Sequence, residues 1–258
     1  MFAVAKLVAM RIRILVTGFG KFPGARRNPT ALLIHELRKH RARLSRLGIA
    51  LELDVLPVVY REVPIKLRRL EETLKPDALL HFGLAARSKL FKIETRALNR
   101  SSLLHCDASG RRAPHRVIVP GAPHIAKSTF PGRQIEAALR RAKLHGQLSI
   151  DAGDYVCNQS LMASLAQSKA RAIGFIHVPR IAPSTRRNDA LRKGRPSLRD
   201  LIQVALIAIL ITARKIRQDR AIDFAKGSTE VSFSTRKHYD FVMKPAEGPA
   251  LDLAPFMA

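Results

Sequence analysis

The chain has 258 residues, of which 47% are hydrophobic, a content typical of a globular protein and too high for a disordered one. Its formal net charge is +26, which permits binding to nucleic acid or to another anionic surface. The arginines, however, are spread over several predicted helices. Only 5% of the residues are aromatic, and neither an RNA-binding aromatic signature nor zinc-finger spacing is present. We therefore expect nucleic-acid binding to be non-specific at most.

Cysteine usage and hydropathy further limit the class of protein. The chain has two cysteines, Cys106 and Cys157, too few for a disulfide framework, so we expect a reducing compartment. The apolar residues 1–10 lack a separate cleavage region, and a signal peptide is therefore not predicted. The apolar run 201–213 is too short and too interrupted to span a bilayer, so we predict a buried helix there and no membrane association.

Predicted strands and helices alternate along most of the chain. The glycines after the first apolar run do not follow the G-x-G-x-x-G spacing, and Pro23 stands in the third glycine position, so a dinucleotide-binding loop is not indicated. Strand-like runs cover residues 12–17, 50–59, 78–82, 92–99, 147–150 and 173–178, and helical patterns begin near residues 29, 63, 128, 157 and 197. This alternation predicts an α/β sandwich with a mostly parallel sheet.

Two segments interrupt the alternation. Residues 100–125 are irregular and rich in proline, glycine and histidine. Their potential metal ligands are His105, Cys106, His115 and His124. The spacing of these residues fits no compact zinc pattern, so we predict no metal site. After a last helix expected to end at about Arg217, residues 219–258 show no clear periodicity. We therefore expect a single domain at 11–218 and a poorly ordered tail at 219–258.

The stretch from Asp151 to Asn158 is the first candidate for a functional site. Gly153 supplies a turn and Cys157 comes just before a helical pattern, so its thiol is expected at a helix N-terminus, where N–H groups and the helix dipole favour a thiolate. A lone cysteine is more often a small buried hydrophobe. The next apolar run, however, is a predicted strand that ends at His177 before a proline. The two side chains are then expected at one edge of the sheet, which is the arrangement that nucleophilic catalysis needs.

Several stretches, taken in order, resemble those of the type I pyroglutamyl peptidases, also called pyrrolidone-carboxylate peptidases. They are Val16–Phe22 with Asn28-Pro29, Leu56–Val58, Lys75–Asp77, Gly83–Ala85 with Glu94–Asn99, Ser128–Pro131, Ala152–Asn158 and Gly174–Pro179. The resemblance covers residues 11–215, and it rests on the order and spacing of the stretches and not on any single one.

The resemblance implies both a fold and an activity. The fold is a three-layer α/β/α sandwich with a mostly parallel central sheet, of the phosphorylase/hydrolase-like kind. The activity is that of a thiol exopeptidase that removes an N-terminal pyroglutamyl residue, without a cofactor. The implied substrates are N-terminally blocked peptides, the implied location is cytoplasmic, and a homo-oligomer is a further possibility.

The resemblance also assigns roles to particular residues. By position, Cys157 matches the nucleophile, His177 the general base and acid, and Glu94 the carboxylate that orients the imidazole. Glu94 alone has the appearance of a surface charge, and only the resemblance selects it. The positions that match the family's pocket for the small lactam ring are Phe19, Phe22, Asn28, Tyr155 and Val156. Aromatic walls suit a flat uncharged ring that offers no ionic group for recognition.

Four features depart from the family pattern. Leu84 stands where a glutamine is usual, Ala86-Arg87-Ser88 stands where Gly-Gly-Arg is usual, Leu104 aligns with a usual arginine, and Tyr155 replaces a more usual phenylalanine. In the family, the glutamine and the arginine would contact the polar edge of the lactam and the oxyanion. A second hypothesis therefore stays open: a catalytically weak family member that acts as a basic binding protein for nucleic acid or another polyanion.

Overall fold

A six-stranded sheet forms the centre of the molecule, in a computed structural model that describes residues 11–182 and 194–231. Its strands stand in the order β2-β1-β3-β8-β4-β7, and a two-stranded sheet joins β5 and β6. The strands are β1 (Ile12–Phe19), β2 (Ile49–Leu56), β3 (Ala78–Leu84), β4 (Phe91–Glu94), β5 (Arg96–Leu98), β6 (Ile125–Lys127), β7 (Gly146–Ser149) and β8 (Ala172–Val178). Strands β2, β1, β3 and β8 are parallel, whereas β4 is antiparallel to β8 and parallel to β7.

Helices cover both faces of the sheet. They are α1 (Pro29–Leu37), α2 (Arg41–Arg46), α3 (Glu62–Leu74), α4 (Gly132–Arg141), α5 (Val156–Gln167) and α6 (Leu198–Val231), with a 3-10 turn at Arg38–His40. On one face, Ile12, Ile14 and Val16 of β1 share a core with α1, α2, α4 and α6. On the other face, Leu15 and Phe19 share a core with α3 and α5. The predicted three-layer α/β/α architecture with a mostly parallel sheet is confirmed.

Strands buried on both faces explain why the sequence predicts the central sheet well. β1, β3 and β8 are almost continuously apolar, as parallel strands covered on both sides must be. The first helix begins as expected, with Pro29 in its first turn and the side chain of Asn28 accepting a hydrogen bond from Thr30 N at 3.1 Å. Local signals of this kind fix β1 and α1, whose connecting loop borders the candidate site.

The last helix is longer than predicted. The buried run 201–213 lies in α6, and Ser197 and Asp200 form reciprocal hydrogen bonds before it, as a capping box does. The helix does not end at about Arg217, however, but continues to Val231. Ion pairs join the first of the additional turns to the rest of the molecule: Arg220 pairs with Asp77, and Asp223 pairs with Arg171 at 2.6 Å. Residues 1–10 and 232–258 lie outside the described residues.

The segment predicted as one strand at 92–99 is divided into β4 and β5 by Thr95. Thr95 N donates to Ser149 O at 2.7 Å, and its hydroxyl donates to the same oxygen. Most of residues 100–125 has no regular structure, as predicted. Among the residues that the structure describes, no helix has the length and apolar character needed to cross a membrane, and no group of side chains is arranged to hold a metal ion.

Candidate active site

Cys157 lies in the first turn of α5, directly after a tight turn. Gly153 has a φ of +81°, a left-handed conformation that glycine adopts without strain, and Asp151 Oδ1 accepts a hydrogen bond from its N–H. Tyr155, at the N-cap position, gives no side-chain hydrogen bond to the first turn of the helix. The first N–H groups of α5 are therefore left without a capping side chain and are suited to an anion.

The thiol of Cys157 packs against the backbone of the neighbouring strand. A Cβ atom added to Gly83 of β3 would lie 2.8 Å from Cys157 Sγ and 2.5 Å from the ring of Phe175. Gly83 also pairs with His177 in the register between β3 and β8. A position without a side chain thus leaves room for the half-buried thiol beside the strand that carries the histidine, and Cys157 is one of the groups that raise the pKa of the imidazole.

His177 and Glu94 form the other half of the constellation. Nδ1 of His177 lies 2.9 Å from Oε1 of Glu94. Because an ionised carboxylate only accepts hydrogen bonds, it holds the proton on Nδ1 and leaves Nε2 for the thiol. Since β4 runs antiparallel to β8, Glu94 stands beside Phe175, below the end of β8, where it is fully buried. Its carboxylate contacts the imidazole from the interior of the protein and is out of contact with solvent.

The electrostatics of His177 are set by opposing effects. Burial is the largest and lowers the pKa of the imidazole, but hydrogen bonds to Cys157 and Glu94, together with their negative charges, outweigh it and raise the pKa to about 9. An imidazolium is therefore present at neutral pH, and it is the counterion that a cysteine thiolate requires. Oε2 of Glu94 has no hydrogen-bond partner among the described residues, so the carboxylate is directed at the histidine alone.

Aromatic side chains surround this constellation. The rings of Phe22 and Tyr155 pack at a tilt of 48° with centroids 6.3 Å apart, and Tyr60 packs edge-on against Tyr155 at 5.4 Å. Phe19 is buried against Phe175, at a centroid distance of 6.2 Å. Val156 is buried at the start of α5. Of the predicted pocket residues, Phe22 and Tyr155 are therefore the pair that is half exposed and able to meet a ligand.

Asn28 shapes the loop and has little capacity left for a ligand. Its Oδ1 accepts hydrogen bonds from the N–H and hydroxyl of Thr30, and its Nδ2 donates to Gly20 O at 3.0 Å. These bonds fix the β1–α1 loop, which includes Phe22. Leu84 and Leu104, two of the positions that depart from the family pattern, differ in their surroundings. Leu84 ends β3 and is half buried, whereas Leu104 is 78% exposed and offers no hydrogen-bond donor from its side chain.

Asn158 has a role that the sequence analysis missed. Its side chain accepts from Leu98 N at 2.9 Å and donates to the carbonyls of Leu98 and Arg100 at 2.7 and 2.9 Å. The residue after Cys157 therefore joins α5 to β5. Its position beside Cys157 is the only sign of this role in the sequence.

Asp107 organises the irregular segment over the site. It is buried and accepts hydrogen bonds from the backbone N–H groups of Tyr60, Ser109 and Arg111. The hydroxyl of Tyr155 donates to the carbonyl of Cys106 at 3.0 Å, next to Asp107. Cys106 itself is exposed and contributes this backbone carbonyl to the aromatic wall. None of these contacts has a periodic signal in the sequence.

Comparison with known proteins agrees with this geometry. Residues 12–218 match the family model described as pyroglutamyl peptidase. The chain is 34% identical over 175 residues to a pyrrolidone-carboxylate peptidase of Pyrococcus furiosus, covering 66% of this chain and 82% of that protein. It is 31% identical over 210 residues to a pyrrolidone-carboxylate peptidase of Ralstonia nicotianae, covering 80% and 94%.

Solved structures give the same result. A pyrrolidone carboxyl peptidase from Thermococcus litoralis superimposes with a TM-score of 0.71 at 25% identity, covering 81% of this chain and 96% of that one. A mutant of the Pyrococcus furiosus enzyme also superimposes with a TM-score of 0.71, at 29% identity over 79% of this chain and 99% of that one. With the fold, the family model and the relatives in agreement, the chain belongs to the pyroglutamyl peptidase family and is a cysteine peptidase.

Proposed function

We propose that this protein removes an N-terminal pyroglutamyl residue from peptides, with Cys157 as nucleophile, His177 as general base and acid, and Glu94 as the group that holds the imidazole. The main support is the buried contact of 2.9 Å between His177 Nδ1 and Glu94 Oε1, on an imidazole whose pKa Cys157 also raises. A structural histidine does not need a buried carboxylate on one side and a thiol on the other.

The reaction is a two-step acyl transfer. The Cys157 thiolate attacks the pyroglutamyl carbonyl carbon, and the oxyanion that forms is accepted by the N–H groups at the start of α5. The His177 imidazolium gives its Nε2 proton to the leaving amine as the peptide bond breaks, which leaves a thioester. The neutral imidazole then takes a proton from water, the hydroxyl attacks the thioester, and free pyroglutamate leaves while the thiolate–imidazolium pair is restored.

The aromatic wall fits the substrate's neutral lactam. The tilted rings of Phe22 and Tyr155 are both half exposed, and Tyr155 is two residues before the nucleophile. A flat ring without charge is recognised by such surfaces together with backbone hydrogen bonds. Because Leu104 offers no side-chain donor, the start of α5 alone has to stabilise the oxyanion, and we expect turnover slower than in relatives that have the arginine.

Turnover of pyroglutamyl-p-nitroanilide by the purified protein tests the proposal. We expect p-nitroaniline release from this substrate and none from prolyl-p-nitroanilide, which has the same ring size but a charged ring nitrogen and no lactam carbonyl. The matched control protein is the C157S variant. Equal rates for the two substrates, or release that persists in C157S, would contradict the assignment.

The second candidate function is a basic binding protein that retains the fold. Leu84, Leu104 and the net charge of +26 favour it. Titration of a fluorescent duplex and a single strand, at low and at physiological salt, separates the two candidates. We expect weak, sequence-independent binding that collapses as salt rises, because counterion release is its source. Binding that survives physiological salt, with no turnover of the lactam substrate, would favour the second candidate.

A further inference from the structure

Exposed cations encircle the candidate active site, and we name them the basic rim. Its members are Lys21, Arg26, Arg27, Arg87, Lys89, Arg100, Arg111, Arg112, Arg116 and Arg180. They belong to the loops that follow β1, β3, β5 and β8. Because β1, β3 and β8 are parallel, their loops leave the sheet at the same edge, which is the edge where His177 and Cys157 lie.

Hydrogen bonds hold the rim loops that follow β1, β5 and β8 next to the site. Lys21 and Arg26 flank the bridge between Phe22 and Ala25, in the loop whose Phe22 ring faces Tyr155. Arg180 donates to Gly24 O at 3.2 Å in the same loop.

The segment after β5 forms the opposite side of the rim. Asn158, next to the nucleophile, holds the carbonyl of Arg100 at 2.9 Å. Ser102 N donates to Asp154 O at 2.8 Å, and Ser101 N donates to Arg116 O at 2.7 Å. The backbone of Arg111 is fixed by Asp107 at 3.1 Å.

The rim has little internal compensation for its charge. None of its members forms an ion pair with a residue that the structure describes, whereas lysines and arginines elsewhere do, such as Lys66 with Asp54 and Lys215 with Asp219. Among the described residues, the carboxylates at this edge that reach solvent are the exposed Glu62 and Asp151 and the half-buried Asp154, whereas Glu94 is buried beneath His177. Asp107 is buried and its oxygens are occupied by backbone N–H groups. A positive potential therefore extends into solvent around the site.

The proposed chemistry determines which ligand suits this potential. An ordinary peptide brings an ammonium group to an exopeptidase site, and the rim would repel it. A pyroglutamyl peptide has no such ammonium, because its terminal nitrogen is part of the neutral lactam. Charge can then be recognised only in the residues that follow the lactam, which extend from Cys157 towards the rim.

On the basis of the proposed function, we infer that this enzyme selects pyroglutamyl peptides with aspartate or glutamate directly after the pyroglutamyl residue. Carboxylates on the departing peptide pair with the rim while the lactam lies against the half-exposed aromatic rings. The selection acts on substrate capture and therefore on KM, because the rim does not touch the reacting atoms.

Three peptides of equal length test the inference: pyroglutamyl-Glu-Glu-Ala-amide, pyroglutamyl-Gln-Gln-Ala-amide and pyroglutamyl-Lys-Lys-Ala-amide, with initial rates followed by mass spectrometry. At an ionic strength of about 0.01 M we expect kcat/KM to be about tenfold higher for the glutamate peptide than for the glutamine peptide, mainly through KM, and lowest for the lysine peptide. At about 1 M the three values should converge, since the Debye length falls to about 3 Å.

Two variants with the same change in net charge locate the effect. R26E/R27E reverses charges in the rim and should abolish the preference for the glutamate peptide. R68E/R69E reverses two exposed charges on α3. Arg68 borders a cavity together with Lys75 and Asp77, which precede β3. This control variant should retain the preference. Equal kcat/KM for the three peptides in the unmodified enzyme, or an equal loss of preference in both variants, would overturn the inference.

Failure of the proposed function has a different signature. Absence of turnover for all three peptides would contradict the proposed pyroglutamyl peptidase function. Titration of fluorescently labelled forms of the three peptides into C157S would then still measure the charge preference. A duplex DNA that displaces the glutamate peptide at physiological salt would show that the rim binds nucleic acid and would overturn the inference.

Discussion

Two buried histidines on neighbouring strands show how the surroundings decide the chemistry of the same side chain. His81 lies on β3 and His177 on β8, and the ring of Phe175 contacts both, at centroid distances of 6.1 and 4.6 Å. Their exposures are 0% and 8%. Burial lowers the pKa of His81 to about 4, whereas the pKa of His177 is raised to about 9.

The partners of the ring nitrogens explain the difference. His81 contacts two hydroxyls, Thr17 Oγ1 at 2.7 Å and Ser164 Oγ at 3.1 Å, which suit a neutral imidazole. Burial lowers the pKa of His177 as well, but Cys157 and the Glu94 carboxylate favour its charged form. Burial by itself thus yields a neutral histidine that joins β1, β3 and α5, whereas a carboxylate and a thiol favour the charged form of a buried imidazole.

The largest expected effect is on the nucleophile. Replacement of Cys157 by serine in C157S should lower kcat by roughly 10⁴-fold or more, because the imidazolium then faces a hydroxyl that does not ionise near neutral pH. Burst and steady-state kinetics with pyroglutamyl-p-nitroanilide measure it. An unchanged unfolding midpoint in urea establishes that the variant is folded. Retention of more than a tenth of the activity would remove Cys157 from its assigned role.

The next largest effect tests the comparison directly, because E94Q makes the surroundings of His177 similar to those of His81. With the carboxylate lost, only Cys157 opposes the effect of burial, and the pKa of His177 should fall from about 9. We expect kcat/KM to drop by roughly 10²–10⁴-fold, in the range known for triad carboxylates, and the pH profile to change shape. E62Q, at an exposed glutamate, is the control. A pH profile of E94Q that overlays that of the unmodified enzyme would refute this role of Glu94.

The pH dependence of stability follows from His81. Since its pKa is about 4 in the folded state and about 6.5 when unfolded, the unfolded chain binds more protons between these values. The free energy of unfolding should therefore decrease as pH falls from about 6.5 to about 4, by up to about 3 kcal/mol from this group. Urea titrations at several pH values measure the decrease.

The variant H81L isolates this contribution from that of the carboxylates. It should cost about 1–3 kcal/mol at pH 7, because the hydroxyls of Thr17 and Ser164 lose their buried partner. It should also show a shallower acid dependence than the unmodified chain. Parallel pH curves for the two proteins would show that His81 does not titrate as described.

The smallest expected effect concerns the second cysteine. Cys106 is exposed and contributes only a carbonyl to Tyr155, so C106S should keep kcat/KM within about twofold, as surface substitutions usually do. Iodoacetamide near neutral pH should inactivate C106S and the unmodified enzyme at the same rate, with mass spectrometry locating the first label on Cys157. Slower inactivation of C106S than of the unmodified enzyme by iodoacetamide would reverse the assignment of the two thiols.

The sequence predicts the elements that have local signals. The apolar runs of β1, β3 and β8 and the turn before Cys157 are visible in it because burial on both faces and a glycine turn leave their pattern in neighbouring residues. The approach of Cys157 to His177 is predictable in outline, because parallel strands end at a common edge.

The position of Glu94 is not predictable from such patterns. It depends on β4 running antiparallel to β8, a pairing between residues far apart in the chain, and 92–99 appears locally as one strand. The same holds for His81, whose partners Thr17 and Ser164 are on other elements, and for the extension of α6 beyond Arg217, which depends on ion pairs with distant residues. Contacts of this kind require the assembled fold.

Gly83 has a consequence for which substitutions the chain tolerates. The thiol and the ring of Phe175 occupy the space where a side chain at position 83 would begin. Even alanine would have to displace one of them, which would change the distance between sulfur and imidazole. A saturation mutagenesis screen selected for activity should therefore return only glycine at this position. Active variants of this protein can differ at many surface residues, but we expect each of them to keep glycine at position 83.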